Sequence, residues 1–206
     1  SSRIGHPITV STPLVMFPDT FRPVFILGSF SIDDTATVFI ARRTSTSMTD
    51  VTLQTSMGNI ILRMYTDMPI TTGNFIKLAK DGFYDGIVFH RIIDGFMIQG
   101  GCPQGTGTGG PGYTIKDEFG KGHSNVRGTI AMANTGRPNT GGSQFFINLV
   151  DNTYLDMENK STPYAHPVFG EVVKGMDVVD AISKVKTGRN DRPVKDVVIQ
   201  KIVVSD

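Results

Sequence analysis

The stretch Phe89-His90-Arg91-Ile92-Ile93-Asp94-Gly95-Phe96-Met97-Ile98-Gln99-Gly100-Gly101 limits the possible folds more than any other. Asp94-Gly95 between two short apolar runs is the strongest short-range signal for a β-hairpin. Side chains alternate along a strand, which predicts Phe96 and Ile98 on one face and Met97 and Gln99 on the other. A two-residue turn at Asp94-Gly95 sets Arg91 opposite Ile98, with Gln99 its near neighbour across the hairpin. The arginine is out of keeping with its surroundings. An unpaired guanidinium is costly to bury, so a strand that served only to pack would not carry one.

The chain around the hairpin is predicted to be mostly β. Val51–Thr55 and Asn59–Tyr65 flank Ser56-Met57-Gly58 and read as a second hairpin. A helix follows, with Asp67 as its cap, Pro69 in its first turn, Phe75, Leu78 and Ala79 on one apolar face, and Gly82 at its end. Residues 100–112 form a long glycine-rich loop. Arg127–Ala133, Gln144–Val150, Pro167–Val173 and Val194–Val204 read as strands, and Asn134–Gly142 as a loop. A second helix begins at Gly175-Met176-Asp177, with Val178, Ile182 and Val185 as its stripe and two acids in its early turns. Eight strands and two helices in about 155 residues suggest an antiparallel barrel or sandwich capped by helices. Spacing alone leaves both open.

Composition excludes several classes. A formal charge of +1 among 206 residues provides no basic excess for a general nucleic-acid or membrane surface, and no apolar run approaches the roughly 18 residues of a membrane span. The single cysteine, Cys102, rules out an intramolecular disulfide framework and suits a reducing compartment; it reads as a partly exposed bystander thiol. His6, His90, His123 and His166 have no metal-ligand spacing, and Ser143 lacks a nucleophile-elbow context. Gly105–Gly110 matches G-x-G-x-x-G, but Pro111-Gly112 follows where a dinucleotide loop needs a helix. Asn159-Lys160-Ser161 matches a glycosylation acceptor, yet nothing else implies secretion. Residues 1–47 stand apart, with no lysine and five phenylalanines. Three readings apply to them: upstream or artificially added sequence ahead of a native start at Met48, an extension packing on the domain, or a targeting peptide. The last is weakened by the missing basic start and by Asp19, Asp33 and Asp34.

Three blocks closely resemble the cyclophilins, which are peptidyl-prolyl cis/trans isomerases. The first is Phe89–Gly101. The second comprises Gly107–Gly110, Met132-Ala133-Asn134 and Asn139–Ile147. The third is Leu155-Asp156 with His166–Gly170. The resemblance spans about residues 51–204. It implies a mainly β fold, a closed eight-stranded antiparallel β-barrel with an α-helix over each end, whose packed interior leaves the active groove on the outer face.

The chemistry of that activity explains the arginine. Rotation about an X-Pro bond is slow because amide resonance sets a barrier of roughly 18–20 kcal/mol. In the twisted state the nitrogen is pyramidal, with a localised lone pair, and accepts a hydrogen bond better than the planar amide does. A fixed, permanently charged donor therefore binds the transition state more strongly than the ground state, and an apolar socket must grip the pyrrolidine ring. Arg91 is the natural donor, Gln99 could steady it, and Phe96, Met97, Phe146 and Leu155 are large enough to form the socket. Phe96 and Met97 do not share a strand face, so a twist or bulge is expected to bring both to the groove.

Carried over residue by residue, the resemblance implies Arg91 as the catalytic arginine with Gln99 as partner, and His90 as a residue that orients the site. It implies Phe96, Met97, Phe146, Leu155 and His166 as the proline pocket. Asn134 would hold an extended peptide by its backbone, and Gly107, Ala133, Thr135 and Gln144 would line the pocket before the proline. Tyr154 stands where many eukaryotic members carry the tryptophan that binds cyclosporin, so weaker drug binding with intact catalysis is expected. Thr135 replaces a common alanine, and Met157–Ala165 lengthens a loop as in bacterial and archaeal-looking members. The resulting expectation is a single isomerase domain over residues 48–206, monomeric, cytoplasmic and cofactor-free, acting on proline-containing peptides and unfolded protein clients. The rival class is a proline-binding module, but such a module would be expected to lose Arg91, Phe96 or Phe146.

Overall fold

The computed structural model describes residues 48–159 and 164–205. The three readings of residues 1–47 lie outside them, as does part of the loop before His166. Asp50–Thr55 (β1) and Gly58–Met64 (β2) form the first hairpin, turning at Ser56-Met57. The strands that follow are Ile87–Val88 (β3), Arg91–Ile93 (β4), Met97–Gly100 (β5), Thr129–Met132 (β6), Phe145–Asn148 (β7), Val168–Lys174 (β8) and Val198–Val204 (β9). Every pairing is antiparallel, in the order β3-β9-β1-β2-β8-β6-β7-β5-β4.

The described residues thus hold nine strands where eight were expected; the addition is the two-residue β3. The edges β3 and β4 follow one another in the chain with only Phe89 and His90 between them, and no ladder joins them among the described residues. One run pairs first with β9, where the Phe89 N–H still donates to Val197 O at 2.9 Å, and then with β5. Phe89 and His90 are both buried, a break in alternation that marks the change of partner. The sheet is therefore completed by covalent chain, not by a closed ladder.

The helix Pro69–Lys80 (α1) begins at Pro69 as predicted and buries Phe75, Leu78 and Ala79. Its cap is not Asp67. The Glu118 carboxylate accepts the N–H groups of Ile70 and Thr71 at 2.9 and 3.0 Å, satisfying donors that any helix start leaves open, while Asp67 faces His123 at 3.4 Å. The helix Met176–Ser183 (α2) buries Val179 and Ile182; Val178 is half-buried and Val185 lies beyond its last turn. β9 starts at Val198 and not at Val194: the chain first makes a tight turn at Arg189–Asp191, closed by a bridge between Thr187 and Pro193.

Strands β5, β6 and β7 are buried on both faces. Ile98, Ile130 and Phe145 enter the main core, where Phe75 packs on Tyr84, Phe145 and Phe169 at ring distances of 5.1–5.5 Å. Their neighbours Met97, Ala131 and Phe146 join Leu155 and Val168 in a second, separate apolar cluster. Strict alternation thus builds a packed core on one face and a smaller apolar site on the other.

Candidate active site

The hairpin register corrects the sequence expectation by one residue. Arg91 pairs with Gln99, Ile92 with Ile98 and Ile93 with Met97, so the turn holds three residues, Asp94-Gly95-Phe96. Gly95 takes φ +70°, a left-handed conformation that glycine adopts without a Cβ penalty, and the Phe96 N–H donates to Ile93 O at 3.1 Å. Ile92 and Ile98 face the main core, and Met97 joins the outer cluster. Phe96 belongs to the turn and is not bound by strand alternation, so it reaches the same cluster as Met97 with no bulge in the β4–β5 ladder.

The expected proline pocket is brought together. Met97, Phe146 and Leu155 are buried against one another with Phe96 packed on them, and the His166 ring meets Phe146 edge-on at 5.3 Å. Ala131, Val168 and Ile93 complete the floor, a contribution that sequence reasoning missed. Tyr154, 44% exposed, stacks on Phe96 at 6.4 Å and so sits at the rim. The His166 Nδ1 lies 3.0 Å from Met132 O. A carbonyl only accepts, so Nδ1 carries the proton and Nε2 of the neutral ring is left with its lone pair. Burial lowers the His166 pKa, opposed in part by that carbonyl and by Asp117.

A buried amide network that sequence reasoning also missed holds the two sides of the pocket. Asn152 Nδ2 donates to Phe96 O (3.0 Å) and Asn148 Oδ1 (2.8 Å). Asn148 Nδ2 donates to Asn125 Oδ1 (3.2 Å) and Thr129 Oγ1 (3.0 Å). Asn125 Nδ2 donates to Asp156 Oδ1 (2.8 Å) and His166 O (3.1 Å). The only sequence signal was an asparagine within the apolar strand Phe145–Asn148.

Beside this pocket an open groove of about 500 Å³ gathers Gln99, Gly107, Ala133, Asn134, Thr135 and Gln144. Gln144 donates to Gly107 O and Gly109 O at 2.9 and 2.8 Å and so pins the glycine-rich loop. Gln99 Nε2 donates to Gln144 Oε1 at 3.1 Å; among the described residues no hydrogen bond joins Gln99 to Arg91. The main-chain N–H and C=O of Asn134 have no partner among the described residues, while its side chain donates to Ala165 O at 2.9 Å and accepts from the Gly136 N–H at 3.0 Å. A fixed residue with open backbone groups can pair with an extended peptide.

Arg91 is 43% exposed and makes no hydrogen bond among the described residues; Nε lies 3.6 Å from Asp191 Oδ2. His90 is 7% exposed, its Nδ1 is without a partner, and its ring lies beneath Gly107, where a Cβ would stand 3.3 Å from it. Burial, then the charges of Arg192 and Arg91, lowers its pKa. Cys102 is fully buried, contrary to expectation, because the loop folds over it: Sγ accepts the N–H groups of Gly107 and Gly109 at 3.2 and 3.3 Å. Burial raises its pKa, but the N–H groups of Gly109, Thr106 and Gly107 outweigh that and leave it lowered. No three His, Cys, Asp or Glu side chains cluster to hold a metal ion among the described residues, and no described helix is long and apolar enough to cross a membrane.

A packed β-barrel whose outer face sets an unbonded arginine beside an apolar socket and an open peptide-backbone station defines a peptide-acting barrel protein. The family model described as cyclophilin type peptidyl-prolyl cis-trans isomerase/CLD matches residues 50–204. Peptidyl-prolyl cis-trans isomerase CYP71 of Arabidopsis thaliana is 47% identical over 171 residues, covering 80% of this chain and 26% of that longer protein. Peptidyl-prolyl cis-trans isomerase B of Escherichia coli is 44% identical over 163 residues, covering 76% of this chain and 99% of that one. The crystal structure of a Cryptosporidium parvum cyclophilin type isomerase superposes with a TM-score of 0.70 at 29% identity, over 77% of this chain and 98% of its own. Its structure in the presence of the dipeptide Ala-Pro gives 0.69. The chain belongs to the cyclophilin-type peptidyl-prolyl cis-trans isomerase family.

Proposed function

We propose that this isomerase accelerates X-Pro rotation by hydrogen bonding from Arg91 to the twisted prolyl nitrogen, with the ring seated on Phe96, Met97, Phe146, Leu155 and His166. The carrying observation is the Arg91 guanidinium, which makes no hydrogen bond among the described residues and stands in register with Gln99, itself paired with Phe146 of the outer apolar cluster. A cation there whose N–H donors are not taken up stabilises the localised lone pair at little reorganisation cost. Asn134 aligns the peptide backbone. Gly107, Ala133, Thr135, Gln144 and Gln99 receive the residues before the proline. His90 supports the glycine loop from below and exchanges no proton.

The substrates are proline-containing segments of unfolded or flexible chains, on which the enzyme acts as a folding catalyst. It works as a monomer, without cofactor, in the cytoplasm. The free thiol of Cys102 and the near-neutral charge support that setting. Tyr154 at the rim supports weaker cyclosporin binding, since a phenol has no indole N–H to offer. Amide shift mapping tests the site: an Ala-Ala-Pro-Phe peptide is expected to move Phe96, Asn134 and Phe146, and its alanine counterpart to leave them unmoved. Shifts clustering elsewhere contradict the assignment. Cyclosporin added to the same sample is expected to exchange rapidly, and a slowly exchanging, tight complex contradicts the rim argument.

A further inference from the structure

The segment between α2 and β9 has an unusual backbone. Asn190 and Asp191, neither of them glycine, both adopt left-handed conformations, with φ +59° and +57°. Left-handed backbone is uncommon for residues with a Cβ, and Asn and Asp enter it more readily than the others, so the pair encodes a specific tight turn. Here the turn is tied down on all sides. The Gly188 N–H donates to Arg192 O at 2.7 Å, the Arg192 N–H to Arg189 O at 3.4 Å, and Thr187 bridges to Pro193. Arg192 in turn donates to Gly105 O at 2.8 Å and reaches Asp196 at 3.3 Å. The side chains of Arg189, Asn190 and Asp191 bury nothing in the main core. What this left-handed turn delivers is the Asp191 carboxylate, 3.6 Å from Arg91 Nε.

We propose that Asp191 is a positioning residue for the catalytic arginine: its carboxylate holds the Nε side of Arg91 and leaves both terminal amino groups free to donate to the prolyl nitrogen. The proposal rests on the role given to Arg91 above. The separation matters. At 3.6 Å the carboxylate attracts the cation without accepting a hydrogen bond from it, so it does not compete with the substrate for a donor. Arginine is a long, rotamer-rich side chain, and a charge anchored on a rigid turn reduces the freedom it must lose when the twisted amide forms. The two side chains are 43% and 48% exposed, so the pair is weak and screened by salt. Weak holding suits a group that must adjust as the bond rotates.

The test compares wild type, Asp191→Asn, Asp191→Gly and Arg91→Ala in prolyl isomerisation at low and high NaCl. Asparagine and glycine both accept the left-handed backbone, so either variant removes the charge while keeping the turn. Each is expected to lower kcat about fivefold with KM little changed, the pattern of an interaction made only in the transition state. Fivefold corresponds to about 1 kcal/mol, the upper end for exposed ion pairs. Wild-type kcat is expected to fall with added salt toward the variants, whose own salt dependence is flat. The 15N order parameter of Arg91 Nε is expected to drop in Asp191→Asn while the β4 amides stay unchanged, a difference that a general structural defect would not produce. Asp191 variants with wild-type kcat, salt dependence and Nε order, alongside an inactive Arg91→Ala, overturn the positioning role alone. An Arg91→Ala variant as active as wild type removes the role of Arg91 and this proposal with it.

Discussion

At the scale of single residues the site depends on which groups are charged and which are kept neutral. Arg91 stays charged because a guanidinium does not titrate near neutral pH. His90, the residue just before it, has its pKa lowered by burial and then by the charges of Arg192 and Arg91, which favours the neutral ring. The linkage follows in sign. Its folded pKa lies below the ordinary 6.5, so near that pH the unfolded chain binds the proton more readily. The stability contributed is therefore present above about pH 6.5 and lost as pH falls through the folded pKa, with a slope of at most about 1.4 kcal/mol per pH unit for one group. Urea unfolding between pH 8 and pH 5 is expected to show a shallower decline in His90→Asn than in wild type; parallel declines contradict the assignment. The half-exposed position of Arg91 was legible in the sequence because a guanidinium within an apolar hairpin has no packing explanation. The burial of Cys102 was not, because it depends on a loop folding back over five to seven residues to aim two N–H groups at the sulfur.

At the scale of elements the deciding feature is the three-residue turn Asp94-Gly95-Phe96. The dipeptide Asp94-Gly95 signalled a hairpin correctly but implied two turn residues, and that one-residue error placed Arg91 opposite Ile98. The true register makes Arg91 and Gln99 direct partners and frees Phe96 from alternation. What holds the turn is distant in sequence: Phe96 O accepts the Leu149 N–H and Asn152 Nδ2, both at 3.0 Å. No local pattern encodes a bond spanning 56 residues. Asn152→Ala removes that bond and leaves Asn148 Oδ1 without its donor in a buried site. The expected cost is about 1–3 kcal/mol in urea unfolding, with KM for a proline peptide raised because one wall of the socket loosens. A variant within about 0.5 kcal/mol of wild type and with unchanged KM contradicts a holding role for the amide network.

At the scale of the molecule, the alternating strands β5, β6 and β7 bury one face in the barrel and build the outer apolar cluster, the proposed socket, with the other. The eight principal strands and both helices were legible because each carries its own periodicity and its own turn signals. β3 was not, being two residues long and defined only by its pairing with β9. Nor was the completion of the sheet through Phe89 and His90, which depends on the two edge strands β3 and β4 following one another in the chain. A packed interior leaves the outer face as the proposed place for chemistry, and that face brings the one arginine of the hairpin, which makes no hydrogen bond among the described residues, to the apolar cluster. Isomerisation of an Ala-Pro or Phe-Pro peptide by the wild type and by Arg91→Ala tests this account most directly. The wild type is expected to exceed the uncatalysed rate and Arg91→Ala to lose roughly 10²–10³ in kcat/KM, the cost of removing a donor aimed at developing charge. An Arg91→Ala enzyme that keeps the wild-type rate contradicts it.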